Sequence, residues 1–221
     1  MDLFTAEVGS HLWKMNTPES DHDWYTCYAG STRSLLHGIP IQPTKPCVHT
    51  AENDYQFVEI GHCIQQLLKG NVNYLQMMTS PYIQKSPAYS RTIGYEIDTL
   101  KTYIENTPVR NIWYSANGMS ISQERDADAR AHVRDTQKSL RTAYRTLTFA
   151  QYVLMGYRYV YEPVDFDVSH EDIAILRQYC QSIFDKNPNG IEESFDEAFM
   201  RQRLYTIRME ILDIENDMPD L

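Results

Sequence analysis

No apolar run in this chain approaches the roughly 20 residues that a membrane-spanning helix needs. There is also no Cys-x-x-Cys pair, internal repeat or low-complexity tract. Each absence removes a class: a spanning helix, the common zinc ribbons and redox motifs, and the solenoids. Positive charge is scarce as well. Twenty Lys and Arg face 30 Asp and Glu, a formal net charge of −10, whereas tight, sequence-independent binding to nucleic-acid backbone needs clustered cations to displace counterions. The start, Met1-Asp2-Leu3, lacks the basic region of a secretory leader, so a cytoplasmic location is expected. The four cysteines, Cys27, Cys47, Cys63 and Cys180, are expected as free thiols in a reducing compartment. Cys47, His49, His62 and Cys63 could be drawn together as a zinc site, but their spacing is irregular and they are read as structural.

What is present is an ordinary globular composition, 42% hydrophobic and 23% charged over 221 residues, enough for one domain or two small ones. Strand signals dominate the first part of the chain. Leu3 to Val8 and Asp23 to Tyr28 read as strands, and Asp54 to Val58 as a third. Residues 30 to 52, with Pro40, Pro43 and Pro46, read as a loop excursion around a short edge element. Ile60, Cys63, Ile64, Leu67 and Leu68 then repeat at helical spacing, with Gly70 as a left-handed cap, and a short helix follows over Tyr74 to Met78. After a Pro81 to Pro87 linker the helical period persists. It runs through Ile97, Leu100 and Ile104, then through Leu140, Tyr144, Leu147, Ala150, Leu154 and Tyr157. Glu124 to Arg134 reads as a solvated helix face or hinge. Ser169 with Asp172 and Ser194 with Glu197 look like capping boxes opening two further helices. The fold class expected is α+β, a small mixed sheet followed by a helical bundle. The division is a core over 1–80, a linker over 81–94 and a helical domain over 95–221.

The chemistry concentrates near the start. Asp21 and Asp23, one residue apart, point to one face of a strand. Asp54 opens the next strand and offers a third acid. Hard oxygen ligands that leave coordination positions free suit Mg²⁺, and two such ions can clamp a triphosphate and lower the pKa of an acceptor hydroxyl. Asp54 could complete that metal site or take the acceptor proton. Gly9 lets the backbone approach phosphate, and Ser10 adds a hydroxyl and amides that can hold its oxygens. The pattern predicts metal-dependent nucleotidyl transfer, with Asp21 and Asp23 alternatively decorating a Thr-Pro-Glu-Ser turn.

Residues 9–23, GSHLWKMNTPESDHD, resemble the GS-x-x-x-G-x-x-TP-x-SD-x-D signature of predicted nucleotidyltransferases in the DNA polymerase beta superfamily, the group labelled RNA repair pathway DNA polymerase beta family. Residues 54–76, DYQFVEIGHCIQQLLKGNVNYLQ, are similar to that family's acid-led strand, helix and LKGNxNxLE segment. The resemblance covers roughly the first eighty residues. It implies a small mixed sheet flanked by helices, a nucleoside triphosphate such as ATP as substrate, Mg²⁺ (two ions), and metal-binding acids at Asp21, Asp23 and Asp54. Gly9, Ser10 and Lys14 fall in the implied phosphate loop. Lys14 stands where the signature has glycine, so the loop must take a different backbone path or place an extra cation near the phosphates. Gln76 replaces the usual Glu, and Tyr25-Thr26 stands near the family's common Arg-Gly. The region of Lys138, Arg141, Tyr144 and Arg145 loosely resembles the family's later basic-aromatic helix; a solvated stripe beside a core helix is the preferred reading.

His11 and His22 lie inside the motif and are read as structural rather than catalytic. Trp13 and Trp24 are read as packing rather than base-stacking, and Met77 and Met78 as core or interface rather than cofactor contacts. The acceptor stays open among an RNA end, a protein hydroxyl and a small molecule, as do the base and the oligomeric state. The rival reading is a catalytically inactive nucleotidyltransferase-fold protein that serves as a protein-interaction module, binding through its negative charge and tyrosine-rich helices.

Overall fold

Both faces of the first strand are covered, and the strand register decides which residues share each face. In β1 (Asp2–Val8) Phe4, Ala6 and Val8 are buried, and in β2 (His22–Tyr28) Cys27 joins them on the same face. The computed structural model describes residues 1–18, 20–50, 52–89, 91–129, 133–188 and 196–217. Among these, the sheet has the order β3-β4-β2-β1-β5, with β3 at Thr44–His49, β4 at Asn53–Glu59 and β5 at Ile83–Lys85. β2 and β4 run parallel and the other neighbours antiparallel, so the sheet is mixed and the fold is α+β.

The parallel pair sets the position of the acids. Its register places Asp23 opposite Asp54, between His22 opposite Asn53 and Trp24 opposite Tyr55. Two carboxylate-bearing residues are thus direct neighbours across strands about 4.8 Å apart. They lie on the face shared with Val8, since Val8 is Asp23's partner in β1.

Four short helices belong to this half: α1 (Gly9–Leu12), α2 (Thr32–Leu36), α3 (Ile60–Leu68) and α4 (Val72–Thr79). The excursion over 30–52 therefore holds α2 as well as the expected edge strand. Ser31 caps α2 through the Ser34 amide at 3.0 Å, and Asn71 caps α4 through the Asn73 amide at 3.1 Å. Each cap is worth about 1 kcal/mol. The Pro81 to Pro87 stretch supplies β5, which pairs with β1; three residues were too short a run to register as a strand.

The second half is helical: α5 (Arg91–Tyr103), a 3-10 turn (Ile104–Asn106), α6 (Val109–Ala129), α7 (Val133–Leu154), α8 (His170–Lys186) and α9 (Glu197–Asp217). The sequence periodicity did not reveal α6. The predicted continuation of α7 to Tyr157 is corrected: the helix ends at Leu154, Gly156 takes φ +85°, and Tyr157 is exposed. Ser169 and Asp172 form the expected capping box. Ser194 lies outside the described residues. Glu124 is not purely solvated, since it pairs with Arg177.

α9 packs back on α2, α3 and α5. Arg208 pairs with Glu59, both largely buried, and donates to the Gly30 carbonyl at 3.1 Å. Glu59 also caps α3, accepting from the Gly61 amide at 2.7 Å.

Candidate active site

The β1–α1 junction carries the first half of the site. Gly9 has φ +64°, and a Cβ there would overlap the Asp23 carboxylate, so no other residue leaves the acid where it is. Lys14, at the signature's other glycine position, takes φ +55°. The expected different backbone path is thus not seen at this residue: the loop keeps the left-handed conformation that glycine adopts freely. The alternative, an extra cation at the phosphates, has no geometric support either, because Lys14 is exposed and is not among the described residues lining the cavity beside the acids.

That cavity has a volume of about 610 Å³. One wall is made of Ser10, Met15, Thr17, Ser20, Asp21 and Asp23, and the other of the α7 residues Gln137, Lys138, Arg141, Thr142 and Arg145. The preference for a solvated stripe is therefore corrected for Lys138, Arg141 and Arg145, which share one helix face turned to the acids. Tyr144 turns away and meets Phe166 edge-on. Whether a basic helix face meets solvent or a cleft depends on the element packed opposite it, which the helix's own sequence does not contain.

Electrostatics tie the two walls together. Burial pushes the Asp23 carboxyl above its ordinary range, Asp21 and Asp54 push it further, and Lys138 and Arg145 pull it back. Desolvation lowers the Arg145 guanidinium to about 10, against the pull of Asp23, so it stays charged at neutral pH. Its guanidinium lies 5.2 Å from the centre of the Trp13 ring and its Nη1 3.9 Å from Met15 Sδ. Trp13 is fully buried against Phe149 and Tyr161. It therefore packs, as expected, and also supports a cation. Arg141 is engaged by Asp167 at 2.7 Å and by the Phe166 carbonyl at 3.0 Å. Lys138 is exposed and has no ion pair among the described residues.

The predicted acids are not gathered equally. Asp21 and Asp23 line the cavity. Asp54, though Asp23's register partner, turns to His49, whose Nδ1 lies 2.8 Å from its Oδ1. His11 and His22 sit on the other side of the motif, stacked with ring centres 3.9 Å apart beside Glu7. Glu7 was missed by sequence reasoning; it is a single acid in a strand buried on both faces, and the histidines beside it come from other elements.

Asp21 and Asp23, side by side on one wall, are hard oxygen donors of the kind a divalent cation takes, and burial and the neighbouring acids make it costly to leave Asp23 charged without one. The arrangement can hold such a cation on one side and an anionic ligand on the other.

Neither the protein-family models nor the curated proteins include a match to this sequence. Among solved structures, a nucleotidyltransferase-like protein from Exiguobacterium sibiricum aligns over 97% of this chain and 69% of its own, at 12% identity and a TM-score of 0.32. A likeness of that size carries no assignment, and the site's own geometry has to do so.

Proposed function

We propose that the protein is a Mg²⁺-dependent nucleotidyltransferase that moves a nucleoside monophosphate from a nucleoside triphosphate to a hydroxyl acceptor, with release of pyrophosphate. The observation that supports this reading is the single cleft with Asp21 and Asp23 on one wall and Lys138, Arg141 and Arg145 on the other. A metal-bound triphosphate has the complementary layout, cation to one side and bare phosphate oxygens to the other. Asp21 and Asp23 are the residues that would hold Mg²⁺, two ions in the family's pattern, which when bound neutralises triphosphate charge and acidifies the acceptor hydroxyl. Ser10 offers its hydroxyl to phosphate from the acidic wall. Arg145, braced by Trp13, and Lys138 stabilise negative charge that grows on the departing pyrophosphate. Asp54, once turned from His49, is the base for the acceptor proton. The acceptor is an RNA end, a protein hydroxyl or a small molecule.

The test is calorimetric titration with four non-hydrolysable nucleoside triphosphates, with and without Mg²⁺, followed by transfer from α-labelled triphosphates. Mg²⁺-dependent binding that disappears in Asp23→Asn and weakens in Arg145→Ala supports the reading. Binding by none of the four overturns it.

The Asp54–His49 contact favours a second reading, a non-catalytic interaction module whose third acid is tied up. It predicts that His49→Ala leaves triphosphate turnover at zero. On the transferase reading the same variant keeps turnover at or above the unmodified rate.

A further inference from the structure

Glu7, His11 and His22 are the only three residues among those described whose ligand-type atoms all fall within 4.8 Å of one another and could hold a metal. They come from three elements: the end of β1, α1, and the start of β2. His22 Nδ1 is 2.5 Å from Glu7 Oε1, and His11 Nδ1 approaches the same oxygen at 3.6 Å. Strand alternation puts His22 on the sheet face opposite Asp23, so this group is separate from the cavity that Asp21 and Asp23 line.

Hydrogen bonding alone leaves the cluster unsatisfied. Glu7 is 8% exposed, and no Lys or Arg pairs with it among the described residues. A buried carboxylate needs a positive partner. The 3.6 Å to His11 is beyond hydrogen-bond range, and the other nitrogen of that ring, Nε2, is buried with no partner. Two imidazoles therefore turn the same nitrogen towards one carboxylate oxygen, and only one of them bonds to it.

We propose that Glu7, His11 and His22 form a site for a borderline divalent transition metal such as Zn²⁺, distinct from the Mg²⁺ site of the nucleotidyl reading and independent of it. Two imidazoles and one carboxylate are the donors such ions select, whereas Mg²⁺ prefers oxygen alone. His22, with 43% of its side chain exposed, leaves an opening through which water completes the coordination. The three ligands surround the turn bearing Gly9 and Ser10. The ion fastens that turn to the strand that carries Asp23.

The experiment titrates the full chain, stripped of metal, with Zn²⁺ against a chromophoric chelator, and records the visible absorption of the Co²⁺ form. One tightly held equivalent is expected, with a Co²⁺ spectrum of low coordination number. It should weaken at least tenfold in His22→Gln, whose exposed position permits folding, and in His11→Gln. It should persist in Asp23→Asn and in Cys47→Ser, which removes an exposed thiol, and should not be displaced by excess Mg²⁺. Zn²⁺ should also raise the melting temperature of the unmodified chain but not of His22→Gln. Equal affinity in the two histidine variants, or loss in Asp23→Asn, overturns the proposal.

Discussion

The carboxylate of Asp23 occupies the space that a side chain on Gly9 would need. A strand residue and a loop residue fourteen positions earlier are thus fitted to each other, and the loop's left-handed turn exists to make room for the acid.

Gly9→Ala tests that fit. The left-handed conformation alone costs about 1–2 kcal/mol for a residue with a Cβ, and the overlap forces Asp23 aside. A displacement near 1 Å at a reacting group costs on the order of 100-fold in rate. The expected outcome is a modest drop in melting temperature and a transfer rate lowered by roughly 100-fold, read in parallel on one preparation.

Asp23→Asn separates stability from activity. Because the folded chain raises this carboxyl above 3.8, it holds a proton that the unfolded chain has already lost as pH climbs from 3.8. Stability therefore falls as pH rises through that window, and above it Asp23 carries the full cost of its buried charge. The variant should melt higher than the unmodified protein at pH 7 without Mg²⁺, the two converging below pH 3.8. Mg²⁺ should stabilise the unmodified protein and not the variant. Thermal melts across pH check both statements, and a variant that melts lower at pH 7 contradicts the account.

Lys14→Gly should stabilise. Lys14 is exposed at φ +55°, a strain of about 1 kcal/mol that glycine removes, partly offset by glycine's greater freedom in the unfolded chain. A rise of about 1–3 °C in melting temperature is expected for a chain of this size, with triphosphate affinity unchanged because the side chain lies off the cavity.

Arg208→Ala should be among the most damaging single changes outside the cleft. It leaves Glu59, 5% exposed, as a buried unpaired charge, a loss of roughly 3–5 kcal/mol and on the order of 10 °C. Adding Glu59→Gln should recover part of the loss, since neutral partners need no counter-charge. Denaturant titration of the two variants measures it.

The acids were legible in the sequence because an Asp-x-Asp pair and an acid-led strand are local patterns, while it is the β2–β4 register that sets Asp54 beside Asp23. What was not legible depends on partners distant in the chain. α6 buries Ile112, Trp113 and Ala116 but also Ser120, and it carries Gly118, so its apolar stripe is too broken to announce a helix. β5 is three residues whose only strand partner among the described residues is β1, about eighty residues earlier. Arg145 belongs to the cleft because Trp13 and Met15 lie against it. Glu7 matters because two histidines from later elements close on it.

The Thr32 and Arg33 amides, at the start of α2, are satisfied by the Glu215 carboxylate at 3.2 and 2.9 Å, some 183 residues further on. A ribosome adding 5–20 residues per second delivers that carboxylate roughly 10–40 s after α2 has emerged. During that interval Glu59 also waits for Arg208, with its charge facing unfinished core. The first half of the chain is therefore completed only after translation has passed α9, and a nascent chain stalled before that helix keeps the first two α2 amides without their acceptor and Glu59 without its counter-charge.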